Sequence, residues 1–385
     1  MKRLLVVQYA GDYRQAWRQI AESGTENYQA HRYVLDSMAG LARDHGAAGL
    51  LCCRTEERYS EVLPNGVTVI GGAASADRDW RDIAGLIEAF APTHLVLHGP
   101  MTRLLAWTLQ RPWRLACIFA DSFEISWLRR RLIYGALPAL LNRPKVEWVA
   151  NHGENACRSL RAIGVDPAKI RVWDFPHDRK PHDLPPRTGP GDPPYVMLYV
   201  GALLASKGVG DLIRAVALLR GRGLPVEARI VGGGDRARFE ALARRCGIAG
   251  HVHFTGTLPN AQVAEEMRRA ALVAVPSRHS YPEGFPLTVY EALCSRTPIV
   301  ASDHPMFAGH LVDGRTATVH AERNPRSLAL TAERLLTDAP LYEALSRAAP
   351  ACWEGLQTDR KWGDLLADWL SCDNGAAAGG DAKTG

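Results

Sequence analysis

The chain has 385 residues, 46% hydrophobic and 23% charged, with a net charge of +5. That length exceeds one ordinary core and implies two domains of roughly 150 to 200 residues, while the composition excludes a disordered or fibrous protein. The mild basicity suits an anionic ligand or surface without requiring one, and no run approaches the ~20 apolar residues of a membrane span.

In chain order, the N-terminus MKRLLVVQYAGDY has an apolar run of only Leu4–Val7, which reads as a first strand rather than a signal peptide. Further strand-like runs follow at 50–53, 67–70, 94–97, 115–119 and 146–150. Helical spacing falls between several of them. Over residues 28–44, Tyr33, Val34, Met38, Leu41 and Ala42 share one face. This alternation predicts a parallel sheet wrapped by helices.

Residues 125–141, ISWLRRRLIYGALPALL, place an apolar stripe beside Arg129–Arg131. Such a helix packs on its own sheet or lies peripherally on an anionic membrane surface. It is also the nearest approach to a basic face with interleaved aromatics, and it falls short of one, so no nucleic-acid partner is expected.

Residues 181–194, PHDLPPRTGPGDPP, exclude helix and central strand and read as a linker after a first domain at 1–180. The alternation restarts at 195, with strands at 195–200, 228–231, 252–255, 272–275 and 299–301 and helices at 211–220, 236–246 and 260–270. The second domain is set at 195–355. An amphipathic helix follows over 359–370, with Trp362, Leu365, Leu366 and Trp369 on one side. The tail 372–385 is too polar and glycine-rich to order itself. The fold class is α/β, two doubly wound Rossmann-like domains. The eight cysteines contain no CxxC pair, so they read as reduced, mostly buried thiols of a cytoplasmic protein.

Four regions could carry chemistry. The stretch HSYPEGFPLTVYEALCSRTPIV holds Glu283 and Glu291 on either side of a helix start. Pro286 suits the first helical position, and the free amides of Leu287 and Thr288 would favour an anion. Both carboxylates would then face hydroxyls: Glu283 a sugar and Glu291 a ribose. Either residue could instead be a solvated charge. In VGALLASKGVGDL, Gly201 follows a strand and Lys207 could reach a held anion. IVGGGDRARFEAL brings backbone close to a ligand or makes only a tight turn. Among the N-terminal strand-end loops, Asp121 and His98 are the titratable candidates, each as readily structural as catalytic. No Ser-His-Asp set, HExxH or metal-ligand spacing occurs.

The ordered set YVGALLASKGVGDLIRAVALL, RIVGGGD, VHFTGTLPNAQVAEEMRRAALVAVPS and PEGFPLTVYEALCSRTPIVASD resembles the family 4 nucleotide-sugar-dependent glycosyltransferases, including their E-x7-E signature at Glu283 and Glu291. The resemblance covers about residues 195–320. It implies the GT-B fold, two domains facing across a cleft, with a C-terminal helix at 356–371 crossing back to an acceptor-binding N-terminal domain. It also implies a retaining, metal-independent transfer by front-face substitution, with no cofactor beyond the nucleotide-diphosphate sugar donor. By resemblance, Glu291 holds the ribose, Glu283 the donor sugar, and Lys207 with Gly201 and the amides of Gly284, Phe285, Leu287 and Thr288 the diphosphate. The backbone at Thr257–Leu258 would meet the base. The acceptor, whether glycan, small molecule or lipid-linked, is left open.

Three departures stand out. Ala202 replaces an arginine usual after the strand glycine, Pro286 replaces a frequent glycine, and Ala120 stands where a histidine often touches the donor sugar, which makes Asp121 the substitute candidate. A non-catalytic sugar-nucleotide binder and a nucleotide-sugar epimerase are the alternative readings.

Overall fold

The computed structural model describes residues 1–9, 11–26, 28, 30–123 and 135–372. The expected tail after its first residue, Cys372, and the arginine run at 129–131 lie outside the described residues. Numbering covers the described elements alone. The first sheet comprises β1 (Lys2–Gln8), β2 (Gly46–Cys52), β3 (Tyr59–Val62), β4 (Thr68–Gly71), β5 (His94–His98), β6 (Arg114–Phe119), β7 (Val146–His152) and β8 (Ile170–Trp173), in the order β3-β4-β2-β1-β5-β6-β7-β8. All neighbours are parallel except β3 with β4. Its helices are α1 (Tyr13–Ser23), α2 (His31–His45), α3 (Trp80–Phe90), α4 (Thr102–Thr108), α5 (Leu137–Leu141) and α6 (Glu154–Ala162).

The second sheet is wholly parallel, ordered β11-β10-β9-β12-β13-β14, from β9 (Tyr195–Val200), β10 (Val226–Val231), β11 (Val252–Gly256), β12 (Leu272–Val275), β13 (Ile299–Ser302) and β14 (Thr318–His320). It carries α7 (Val209–Gly221), α8 (Arg236–Arg245), α9 (Asn260–Arg269), α10 (Leu287–Cys294), α11 (Pro325–Thr337) and α12 (Ala339–Glu354). The last helix is α13 (Trp362–Ser371).

The strands read as continuous apolar runs because helices cover both sheet faces. In β1, Leu4 and Val6 enter one core while Leu5 and Val7 enter the other. Helix starts follow local chemistry. Asp12 caps α1 by accepting from the Arg14 and Gln15 amides, and Gly24 ends that helix in the left-handed conformation. The expected helix at 28–44 begins only at His31. Strands β3, β8 and β14 escaped the sequence reading because they are short and only partly apolar. The linker also contains one 3-10 turn, Pro181–Asp183, where no helix was expected. A single turn with proline leading loses no hydrogen bond.

Helix α13 packs on α2, and its Trp362, Leu365, Leu366, Trp369 and Leu370 join the core that holds Leu35 and Met38. The Trp362 amide donates to the Asp174 carbonyl (3.0 Å), and Gly363 N–H donates to Tyr33 Oη (2.9 Å). Across the domains, Asn155 Nδ2 donates to the Met306 and Ala308 carbonyls (2.9 Å each), and the Asn260 amide donates to the Glu26 carbonyl (2.9 Å). All eight cysteines are free, and six are buried. Among the described residues no helix is long and apolar enough to cross a membrane.

Candidate active site

In the second sheet, β9 lies between β10 and β12, so the direction of winding reverses beside it. Ligands of open α/β sheets bind beyond the carboxyl ends of the strands at such a point. The loops after β9, β10, β11 and β12 all open there. Two of them depend on glycine. Gly232 adopts φ 137°, and a Cβ there would collide with the Gly201 carbonyl; Gly208, at φ 76°, abuts the Pro276 carbonyl in the same way. The result is a cleft of about 490 Å³ between the domains.

Gly201, Lys207, Leu258, Glu283, Gly284, Phe285, Leu287, Thr288 and Glu291 all line this cleft, as do Gly232, Gly233 and Thr257. The two N-terminal candidates, Asp121 and His98, are not in its wall, although Ala120 next to Asp121 is. The N-terminal domain contributes Tyr28 and His152 as well.

Glu283 is 5% exposed, and its Oε1 receives both Lys207 Nζ (2.6 Å) and Ser277 Oγ (2.6 Å). The two residues that sequence reasoning gave separate tasks therefore meet in one ion pair. The Lys207 ammonium also sits 4.1 Å from the centroid of the Tyr281 ring. Burial, then the charge of Glu283, pushes the Tyr281 phenol up to about 12. Among the described residues, Lys207 is the one lysine or arginine in the cleft wall. Arg278 does not compensate for Ala202, because its guanidinium grips the buried Asp211 through two bonds of 2.9 Å.

Helix α10 starts one residue later than expected. Pro286 has φ −70° and ψ 131°, which is extended, so it precedes the helix instead of opening it. The Leu287 and Thr288 amides find no acceptor among the described residues, while the Val289 amide donates to the Pro286 carbonyl. Two unused donors at a helix start form an anion site, reinforced by the helix dipole. The Thr288 hydroxyl donates to the Val200 carbonyl (3.3 Å) and ties this start to β9.

Glu291 lies one turn further on, between buried Tyr290 and Ala292. Burial pushes its carboxyl up to about 7, partly offset by Arg179. Asp121 is fixed through its backbone: its amide donates to Asn151 Oδ1 (3.3 Å) and its carbonyl accepts from Asn151 Nδ2 (2.9 Å). Burial, then the charge of Glu283, raises the Asp121 carboxyl to about 6. His98 stands apart, edge-on to Trp173 at 6.0 Å, and burial lowers it to about 4.

Sequence reasoning missed Tyr28 and His152. Tyr28 belongs to the loop between α1 and α2, which carries no motif. His152 ends β7 just before Gly153 and the start of α6, the strand-glycine-helix pattern that flagged the C-terminal loops. The same signal could have found it.

Residues 183–351 match the family described as "Glycosyl transferases group 1". D-inositol 3-phosphate glycosyltransferase 2 of Catenulispora acidiphila is 32% identical over 208 residues, 50% of this chain and 48% of that protein. The chain thus spans about half the length of the curated relatives it matches. Two solved structures align nearly end to end. Sucrose-phosphate synthase from Thermosynechococcus elongatus has a TM-score of 0.71 at 16% identity, covering 96% of this chain and 98% of that one. Anabaena Alr3699/HepE in complex with UDP-glucose has a TM-score of 0.67 at 14% identity, covering 96% and 98%. The fold is GT-B, two Rossmann-like domains about a cleft, and the sequence kinship to group 1 glycosyl transferases resides in the C-terminal half.

Proposed function

We propose that the chain transfers a sugar from a nucleoside-diphosphate sugar to an acceptor hydroxyl with retention of anomeric configuration. One observation carries this reading. A single cleft at the winding reversal holds two free amides and one ammonium for phosphate, flanked by two carboxylates suited to hydroxylated rings. The UDP-glucose bound by the Anabaena protein of the same fold supports the ligand class.

On this reading, the Leu287 and Thr288 amides and Lys207 hold the diphosphate, with backbone at Gly201 and Gly284–Phe285 packed close. Glu291 accepts from the ribose hydroxyls, Glu283 from the sugar, and the backbone at Thr257–Leu258 faces the base. The C1–O bond to phosphate breaks on the face where the acceptor oxygen bonds to C1. The acceptor proton passes to the leaving phosphate oxygen. Charge neutralisation of the departing diphosphate is assigned to Lys207 and the amides, not to a metal ion. That preorganised stabilisation supplies most of the rate. Asp121, just beyond Ala120, is assigned to the acceptor hydroxyl.

The test is a melting panel of nucleoside diphosphates and their sugars, followed by assay of nucleoside diphosphate release with added acceptors. Ligand at 100 times its Kd stabilises the native state by about 2.7 kcal/mol. The reading expects a clear melting shift with one base and acceptor-dependent release. A shift without release indicates a binding protein, and no shift with any nucleotide overturns the assignment.

A further inference from the structure

We propose that His152 is a sugar-hydroxyl contact of the cleft, its Nδ1 held as a hydrogen-bond acceptor because the buried Asp174 fixes the ring tautomer. This deepens the transferase reading and rests on it. Asp174 follows β8 and is 0% exposed. Its Oδ1 lies 2.8 Å from His152 Nε2 and its Oδ2 lies 3.2 Å from His177 Nε2, while the Phe175 amide donates to Oδ1 (2.7 Å). Burial would raise this carboxyl, yet the hydrogen bonds from His152 and His177 hold it well below the usual carboxylate range.

An ionised carboxylate only accepts, so His152 must present Nε2–H to it. In that tautomer Nδ1 is an acceptor. No described residue bonds Nδ1, and it is absent from the polar atoms sealed without a partner. The ring itself is clamped by stacking on Trp173 at 4.8 Å and 29°. His177 in turn stacks on Tyr290 of α10 at 4.1 Å and 22°, which ties the Asp174 cluster to the helix carrying Glu291.

The position suits the sugar. His152 shares the cleft wall with Glu283 and Ala120. The end of β6 closes tightly on the same loop: a Cβ on Gly284 would come within 2.8 Å of the Ala120 carbonyl. The side chain at 120 ends at Cβ, and His152 reaches the same wall from the neighbouring strand β7. A polyhydroxylated ring next to Glu283 thus meets a second acceptor.

Titration calorimetry with UDP and UDP-glucose, or the nucleotide pair that the melting panel selects, tests this. His152→Gln keeps an amide for Asp174 but has no acceptor where Nδ1 stood. It should bind the nucleoside diphosphate as the parent does and the sugar nucleotide about tenfold more weakly, the effect of one lost hydrogen bond. Asp174→Ala, which removes the acceptor that fixes the tautomer, should show the same selective loss. His152→Asn, with a carboxamide oxygen near the Nδ1 position, should recover most of the sugar preference. If His152→Gln does not fold, the other two variants carry the comparison. Equal loss of both ligands, or loss of neither, overturns the proposal. A parent protein that binds no nucleotide overturns the transferase reading itself, and this inference with it.

Discussion

The two domains share one architecture but build their halves of the cleft differently. The C-terminal wall comes from glycine-bearing loops and one helix start, and its key groups fall within short stretches of chain. The N-terminal wall is assembled from the ends of different elements: Tyr28 from the loop after α1, Ala120 after β6 and His152 at the end of β7. Anion recognition by backbone demands a fixed local geometry, so it leaves a local signature. Groups that reach a cleft from separate strand ends share no local backbone geometry, and they leave no local signature.

The largest expected effect breaks the domain that lacks a motif. Trp362 is 0% exposed in the N-terminal core. Trp362→Ala should cost about 3 to 5 kcal/mol of stability in denaturant unfolding, and a loss below 1 kcal/mol would deny α13 its structural role.

Next is the ion pair. Lys207→Ala should reduce turnover about 100-fold through lost diphosphate stabilisation. It should also destabilise the protein by about 1 to 3 kcal/mol, since Glu283 is left buried with only Ser277 as donor. Lys207→Ala combined with Glu283→Ala should restore stability without restoring turnover. Recovery of both in the double variant would show that the pair is only structural.

A smaller effect follows from Glu291. Its carboxyl normally titrates near 4.5 but is held to about 7 in the fold. Between those values the native state keeps a proton that the unfolded chain has lost. Stability therefore falls as pH rises through the window and levels off above about 7. Glu291→Gln should flatten that slope and exceed the parent by about 1 to 3 kcal/mol at pH 8. Ribose hydroxyls donate to a carboxylate, so donor affinity should drop as pH falls from 8 to 6 in the parent. In the glutamine variant it should not depend on pH over that range. Affinity that is flat with pH in the parent would remove Glu291 from the ribose.

The smallest effect is expected at Asp121. Asp121→Asn should lower turnover several-fold, the scale of one hydrogen bond of about 1 kcal/mol, and leave donor affinity unchanged. An equal change in donor affinity would move Asp121 from the acceptor to the donor side.

The fold was legible because parallel strands buried on both faces leave apolar runs such as Leu4–Val7 that composition alone exposes. Strands β3 and β8 were not, since each is partly exposed at a sheet edge and mixes polar residues with apolar ones. At the site, Glu283, Glu291 and Lys207 could be read from their place around strand ends and helix starts. Their mutual pairing could not, because Lys207 and Glu283 stand 76 positions apart and only the sheet order brings them together. Pro286 misled by one position: its φ suits a helix, and only ψ, which the sequence does not reveal, places it outside.

Helix α13 has a topological consequence. The N-terminal lobe receives its last covering layer only after the second lobe is complete, so the C-terminal lobe is in effect inserted between two covalent tethers. A fragment ending at residue 180 would lose the layer that Trp362, Leu365, Leu366 and Trp369 add to its core, and should aggregate unless a peptide spanning 359–371 is supplied in trans. The C-terminal lobe, an uninterrupted segment, is the half that could be excised in one piece.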